Sequence, residues 1–260
     1  DLLKDGGLYT LANFLTKGIS LLLIPFYTSY FSPSDYGVID ILVIFGLLIS
    51  SFSTLQLSQS VARYISEQST SDHDKKLISS TGLWIVIIIS TVTAILLSAS
   101  SNYITNLLST DTIISKNTFI LAIIAVAFSN VYQYNNVHLR FLRYTKSFAI
   151  ISIIYGLLNI CFTIFYVLVL DKGINGYFYG VISPYPLILI VQFIILKKEI
   201  LFTINYTFLK KLLKYSLPLI PAAIAYIVLN FTDRVFINEY LGTADVGIYN
   251  IGYKFGAAMD

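Results

Sequence analysis

Charged residues are scarce in this sequence. Asp, Glu, Lys and Arg together make up 12% of its 260 residues, whereas a soluble domain usually carries about a quarter. Hydrophobic residues fill the difference, since they form 56% of the chain and lie in long blocks. This composition excludes an ordinary soluble domain and predicts an integral membrane protein.

Residues that bind metals or form disulfides are also few. The single cysteine, Cys161, excludes a disulfide framework and a cysteine metal cluster. The two histidines, His73 and His138, lie far apart without metal-ligand spacing. The sequence contains no nucleophile elbow, no HExxH zinc motif and no phosphate-binding loop. We therefore expect no catalytic residues, no metal, no cofactor and no nucleic-acid partner.

Long apolar blocks dominate what the chain does contain. A helix needs about 20 apolar residues to cross a bilayer, and strands are disfavoured because the blocks are too long and do not alternate. The sequence thus predicts an all-α, polytopic membrane protein. Because the chain begins at Asp1 rather than Met and stops at Asp260 within an apolar run, we also expect a fragment of a longer protein. An eighth helix begins near residue 246, after seven spanning segments at 8–31, 38–62, 77–100, 117–139, 147–170, 177–196 and 216–241.

The basic residues mark one side of the membrane. One alternate set of connections holds twelve Lys and Arg residues, and the other holds only Lys116 and Lys172. The positive-inside rule then places the N-terminus and the basic connections in the cytoplasm. The longest of these connections, 197–215, predicts a basic amphipathic helix on the anionic inner leaflet. It serves either as an anchor and linker between two halves or as a site of specific lipid recognition.

A stretch near the start of the chain is repeated near its end. FYTSYFSPSDYGVIDILVIFG at 26–46 aligns with FINEYLGTADVGIYNIGYKFG at 236–256, a shift of 210 residues. Both copies end an outward helix, make a tight external turn and start an inward helix, so they have the same orientation and predict a parallel repeat. The complete protein should then have at least twelve helices. The expected domains are an N-terminal six-helix bundle (1–196), the basic linker (197–215) and the incomplete start of a C-terminal bundle (216–260).

Lys17 is a charged residue about halfway along the first predicted helix. Charged residues in a membrane tend to face a cavity or a partner because their burial in lipid is costly. Asn13 and Lys17 lie on one face of the helix, at helical spacing. Lys17 therefore either lines a central cavity or reaches back to the cytoplasmic headgroups.

Asp233 and Arg234 lie side by side in the seventh predicted helix. Neighbours in a helix point about 100° apart, so these two cannot pair well with each other. Asn230 and Asp233 share a face with Tyr226, which predicts that Asp233 points inward, while Arg234 snorkels or reaches round into the cavity. The alternatives for this pair are a role in a cavity and salt bridges between helices.

Two stretches of the chain resemble a known family. The opening, DGGLYTLANFLTKGISLLLIPFYTSYFSPSDYGVIDI, is similar to the start of bacterial polysaccharide flippases of the O-antigen type, with their typical SPSDYG turn at Ser32–Gly37. The later stretch, DRVFINEYLGTADVGIYNIGYKFG, has the acidic-basic pair and the GxY element of that family. The family belongs to the multidrug/oligosaccharidyl-lipid/polysaccharide exporter superfamily. The resemblance spans the chain, and the last helices of the family are absent from it.

The resemblance implies a fold and an activity. The fold would be two six-helix bundles in a V around a central cavity, here truncated after about seven to eight helices. The activity would be transport of an undecaprenyl-diphosphate-linked oligosaccharide across the bacterial inner membrane, for O-antigen or capsule synthesis. The implied partners are that lipid-linked oligosaccharide, membrane lipids, a polysaccharide polymerase and a chain-length regulator.

The resemblance also implies roles for individual residues. Relatives such as the lipid II flippase hold the diphosphate with cavity cations, and Lys17 and Arg234 would take that role here. Asp233 and Asp40 would bind a coupling ion or line the cavity. The candidates for cavity lining are completed by Asn13 and Asn230.

Two rival functions remain open. A drug/cation antiporter of the same superfamily would favour acidic cavity residues, and Lys17 argues against it. A membrane-embedded polysaccharide polymerase or ligase usually needs a large external loop with catalytic Arg or His, whereas the external loops predicted here are short.

The cation role predicts a phenotype. In the intact protein, Lys17→Ala should abolish surface polysaccharide while the protein stays in the membrane, because the diphosphate loses its cation. Immunoblots of membranes and gels of surface polysaccharide would measure both. Normal polysaccharide from the variant would rule out this role for Lys17.

Overall fold

Helices account for nearly all of the backbone in the computed structural model, which describes residues 25–26, 28–67, 71–108 and 112–257. No strand occurs within these ranges. After a helical stretch that ends at Tyr30, the helices are α1 (Pro33–Ser53), α2 (Leu57–Ser66), α3 (Asp72–Ala99), α4 (Ser101–Leu108), α5 (Lys116–Phe141), α6 (Thr145–Ile164), α7 (Gly173–Ile182), α8 (Pro184–Leu196), α9 (Tyr206–Ser216), α10 (Leu219–Tyr240) and α11 (Thr243–Ala257).

Six helical segments are long and apolar enough to cross a membrane. They confirm the prediction of an all-α, polytopic membrane protein, and each corresponds to a predicted span. The first predicted span, 8–31, lies almost entirely outside the described residues. The six segments are Pro33–Ser53, Asp72–Ala99, Lys116–Phe141, Thr145–Val169, Gly173–Leu196 and Leu219–Tyr240.

The second predicted span, 38–62, is wrong in its bounds. Its helix starts five residues earlier because Ser32 and Asp35 form a capping box and Pro33 occupies the first turn. The helix ends at Ser53, since Leu55 and Gln56 adopt positive φ angles of 49° and 52°. The stretch across the break, STLQLSQS at 53–60, contains neither Gly nor Pro, so no turn residue marks it in the sequence.

Helix α5 forms the centre of the first bundle, and it packs against α1, α3, α7 and α8. Asn135 and Asn136 of α5 are buried against α8. Gln192 of α8 donates to Asn136 Oδ1 at 3.0 Å and accepts from Asn135 Nδ2 at 3.2 Å. These hydrogen bonds satisfy Gln192 and Asn136 Oδ1, while Asn135 Oδ1 has no hydrogen-bond partner among the described residues.

The 197–215 segment is anchored on the first bundle. The backbone N–H of Leu201 donates to Ser80 Oγ at 2.7 Å, and Trp84 Nε1 donates to the Leu201 carbonyl at 2.9 Å. Farther along, Ser60 Oγ donates to the carbonyl of Leu212 in α9 at 3.0 Å. Only residues 217–218 then separate α9 from α10.

The two copies of the repeat meet at a close helix crossing, the glycine seam, formed by Pro33, Gly37, Thr243 and Gly247. A Cβ on Gly37 would lie 1.9 Å from the Thr243 carbonyl oxygen, and a Cβ on Gly247 would lie 2.1 Å from that of Pro33. Because Pro33 aligns with Thr243 and Gly37 with Gly247 in the repeat, these contacts are reciprocal. A local pseudo-two-fold axis therefore passes between α1 and α11.

The seam predicts that a single methyl group disturbs the crossing. Gly37→Ala or Gly247→Ala should destabilise the protein by about 1–3 kcal/mol, because the added Cβ meets backbone rather than a movable side chain. Thermal unfolding in detergent would measure the change. The matched control is Gly252→Ala on α11, where a Cβ has no neighbour within 4 Å in the part of the chain that the structure describes. Equal stability of the Gly37 and Gly252 variants would contradict the prediction.

Candidate functional site: a charged cluster between the halves

Helices α1, α10 and α11 bring charged and tyrosine side chains together beside the glycine seam. We call this group the junction cluster, and it contains two carboxylates, two cations and three tyrosines. Its members are Tyr36 and Asp40 of α1, Asp233 and Arg234 of α10, and Tyr249, Tyr253 and Lys254 of α11.

The position of each residue along its helix explains why the cluster forms. Asp40 lies seven residues after the start of α1, and Arg234 lies six residues before the end of α10. At 1.5 Å per residue, both are roughly 10 Å from the same end of the bundle. We call this the Ser32 end, where Tyr30 donates a hydrogen bond to Asp171. It is the end predicted to face the periplasm.

An ion pair joins α10 to α1. Arg234 Nε lies 2.9 Å from Asp40 Oδ2, and the two side chains are only 2% and 9% exposed. Of the ion pairs among the described residues, this is the one that links α10 to the first bundle. The structure thus shows for Arg234 the salt bridge between helices that was one of the two alternatives.

The Arg234 guanidinium has further neighbours on its own side of the junction. Nη1 donates to the Asn230 carbonyl at 3.2 Å. The Tyr253 and Phe231 ring centroids lie 4.3 Å and 4.8 Å from Cζ. Aromatic rings attract a guanidinium through their negative faces, so they stabilise the cation and supply no opposite charge.

Asp233 faces a different set of partners. One of its oxygens accepts the backbone N–H of Arg234 at 2.9 Å, and the other accepts the Tyr249 hydroxyl. Asp233 is half-buried, whereas Arg234 is buried. The structure differs from the expected orientation, with Asp233 inward and Arg234 reaching round, because Arg234 is the more buried of the two. Arg234 contacts a carboxylate on α1, and the partners of Asp233 among the described residues are the Tyr249 hydroxyl and a backbone N–H.

Lys254 is the second cation of the cluster, and sequence analysis did not select it as a site residue. Its Nζ donates to the Tyr36 hydroxyl at 2.8 Å, and Asp40 lies within range of its charge. Within the described ranges its hydrogen-bond partner is the neutral Tyr36 hydroxyl, whereas Arg234 contacts a carboxylate directly. The signal that could have found it is the repeat, because Lys254 aligns with the apolar Ile44.

The structure brings together three of the six predicted site residues. Asp40, Asp233 and Arg234 lie in the junction cluster, while Asn230 is half-buried and donates to the Tyr226 carbonyl of its own helix at 2.7 Å. Lys17 and Asn13 lie outside the described residues. Within the described ranges, no group of three His, Cys, Asp or Glu side chains could hold a metal ion.

Solved transporter structures share the fold. A MOP superfamily transporter from Pyrococcus furiosus superposes with a TM-score of 0.73 at 15% identity, over 98% of this chain. An outward-facing MATE family multidrug transporter gives 0.69 at 15% identity, over 97%. A Vibrio cholerae MATE transporter gives 0.65 at 14% identity, over 96%. The fold is therefore that of MOP superfamily transporters.

The sequence shows to which protein family the chain belongs. Residues 2–259 match the family described as polysaccharide biosynthesis protein, and the chain belongs to that family. No curated protein matches the chain in sequence. The chain spans about 60% of the length of each of the three solved transporters.

The buried pair predicts a coupled loss of stability. Asp40→Asn and Arg234→Gln should each destabilise the protein by about 3–5 kcal/mol, because each leaves an uncompensated buried charge. The double variant buries no charge at this position, so its loss should be smaller than the sum of the two single losses. Thermal unfolding of the four proteins in detergent measures the coupling. Additive losses would show that the two residues do not stabilise each other.

Proposed function

We propose that this chain is part of a transporter that moves an undecaprenyl-diphosphate-linked oligosaccharide across the cytoplasmic membrane, for surface polysaccharide such as O-antigen or capsule. Membership of the polysaccharide biosynthesis family supports the substrate class. The observation that carries the proposal is the junction cluster, which holds two cations between the halves of a transporter fold.

The chemistry of the substrate explains why cations are needed there. A diphosphate that leaves water for a medium of low dielectric loses its hydration, and nearby positive charge offsets part of that cost. Lys254 supports this role because its hydrogen bond among the described residues goes to a neutral hydroxyl, which an anion could replace. Arg234 could contribute if its pairing with Asp40 changes during transport. We keep Lys17 as a further candidate cation.

The glycine seam suggests how transport would proceed. The halves are in backbone contact at the Ser32 end, so this conformation would be closed on that side. Rocking of the halves about the substrate would open the Ser32 end and close the opposite one, as in other transporters built from repeats. Asp40 and Asp233 are the candidates for binding a coupling ion during that movement.

The proposal also includes a membrane location and protein partners. The protein would act in the bacterial inner membrane with a cytoplasmic N-terminus, as the basic connections indicate. It would work without catalytic residues or a cofactor. A polysaccharide polymerase and a chain-length regulator would use its product.

A drug/cation antiporter is the second candidate function. It is favoured by the two carboxylates of the cluster, Asp40 and Asp233, and by the MATE transporters with the same fold. An antiporter of this kind would extrude cationic dyes from cells or vesicles. The flippase would instead support surface polysaccharide, so the two candidates differ in a direct assay.

The flippase proposal predicts a charge requirement at Lys254. Lys254→Gln should lower surface polysaccharide by at least about tenfold, because a charge-assisted hydrogen bond to the diphosphate is lost. Lys254→Arg should retain most of it. Gels of surface polysaccharide, normalised to the protein in the membrane, would measure the effect.

Lys116→Gln is the matched control, since Lys116 is an exposed cation at the start of α5. This control should behave as the unchanged protein does. Full polysaccharide from Lys254→Gln, or dye efflux that depends on Asp40 and Asp233 without any effect on polysaccharide, would refute the flippase proposal.

A further inference from the structure

A cavity of about 230 Å³ lies between α1, α4 and α10 at the Ser32 end. Most of its wall is apolar, and its polar groups come from α10. The apolar side chains include Ile41, Ile44, Phe45, Leu48, Leu107 and Leu108. The polar side chains are Arg234, Asn238 and Glu239.

Arg234 thus lines this cavity and also contacts Asp40. Arg234 Nε and Asp40 Oδ2 lie 2.9 Å apart without the geometry of a hydrogen bond, and neither atom has a hydrogen-bond partner among the residues that the structure describes. Their contact is therefore mainly electrostatic. A guanidinium offers five N–H donors in a planar fork that binds phosphate through two parallel hydrogen bonds. A phosphate in the cavity could therefore offer Arg234 better geometry than Asp40 does.

We infer that this cavity holds the phosphate end of an isoprenyl chain, and that the phosphate displaces Asp40 from Arg234. The inference rests on the proposed function, and it assigns to the substrate's lipid portion a site beside the junction cluster. Displacement of Asp40 removes the ion pair that ties α10 to α1. Substrate binding would then release the halves at the Ser32 end.

The wall of the cavity supports this assignment. Ile41, Ile44 and Leu48 recur at helical spacing along α1, and together they form an apolar strip about 10 Å long that suits a hydrocarbon chain. Arg234 is the cation on the opposite wall. Glu239, nearer the Ser32 end, repels a phosphate there and so favours the deeper position at Arg234.

The release follows from differential binding. A ligand shifts an equilibrium between two conformations only when it binds one of them more tightly. The phosphate binds better once Arg234 is free of Asp40, so it favours the state in which the pair is broken. Asp40 acts here as an internal competitor for the same guanidinium.

Competition predicts opposite effects of two neutral substitutions. The intact protein in detergent is titrated with farnesyl diphosphate, a soluble isoprenyl diphosphate, and the affinity is measured by calorimetry. Arg234→Gln should weaken binding by about tenfold or more, because it removes the cation. Asp40→Asn should tighten binding by about tenfold, because it removes the competitor. A pair with a merely structural role would weaken binding in both variants, and that result would overturn the inference.

Control ligands and a control variant test the recognition itself. Farnesol and inorganic diphosphate should each bind at least about tenfold more weakly than farnesyl diphosphate, since each lacks one half of the ligand. Arg63→Gln should have no effect, because Arg63 is exposed and pairs with Glu67 on the side predicted to face the cytoplasm. Equal binding of inorganic diphosphate, or equal competition by phosphatidylglycerol, would refute a site for an isoprenyl chain.

A distance measurement tests the release without any change at Asp40. Spin labels at Ser34 of α1 and Tyr240 of α10, in a Cys161→Ser background, report the separation of the helices at the Ser32 end. Farnesyl diphosphate should lengthen that distance. Binding at an unchanged distance would overturn the release of the halves.

The polysaccharide assay separates this inference from the proposed function. If the protein supports surface polysaccharide but Asp40→Asn does not bind farnesyl diphosphate more tightly, the competition is wrong and the function stands. If the binding effects have the expected signs but cells lacking the protein make normal polysaccharide, the site stands and the proposed function is wrong.

Discussion

The junction of the two halves depends on a charge pair that is closed to water. Removing a carboxylate and a guanidinium from water costs several kcal/mol for each ion, and their attraction offsets this cost only while they remain together. Arg234 and Asp40 meet this condition at 2.9 Å, with side chains 2% and 9% exposed. The pair therefore strongly favours one relative position of α1 and α10. A small displacement of one half exposes both charges to an unfavourable environment unless another ion replaces the lost partner.

The glycine seam makes that geometry attainable. Side chains on both helices would hold α1 and α11 apart, whereas Gly37 and Gly247 let the backbones touch, as small residues do in membrane helices. The contact brings Tyr36 within 2.8 Å of Lys254. Because the seam is reciprocal about a local two-fold axis, one small residue in each repeat is enough to form it. The close packing thus comes from a short motif that occurs in both repeats, and it brings the charged residues of α1 and α11 close together.

Much of the fold could be predicted from the sequence, because the length and apolar content of a membrane helix follow from the thickness of the bilayer. The break at Leu55 and Gln56 could not, since positive φ angles there leave no mark on hydropathy.

For the site, helical spacing identified Asp233 and Arg234 as unable to pair with each other. It could not name Asp40 as the partner of Arg234, because spacing fixes the face of a helix and not what lies opposite. That partner is almost two hundred residues away and becomes adjacent only through the repeat.

The junction cluster breaks the symmetry of the repeat that forms it, and this asymmetry has a physical reason. The repeat-equivalent pairs are Asp40 with Asn250, Arg234 with Ile24, and Lys254 with Ile44. An exact repeat would place identical charges across the two-fold axis, where they would repel one another in a medium of low dielectric. In this chain the first half supplies the carboxylate Asp40 and the second half supplies both cations, so the charges attract across the axis. Since a buried ion pair is weak evidence for stability, the divergence of the two halves is better explained by orientation, because the attraction favours one arrangement of α1 against α10.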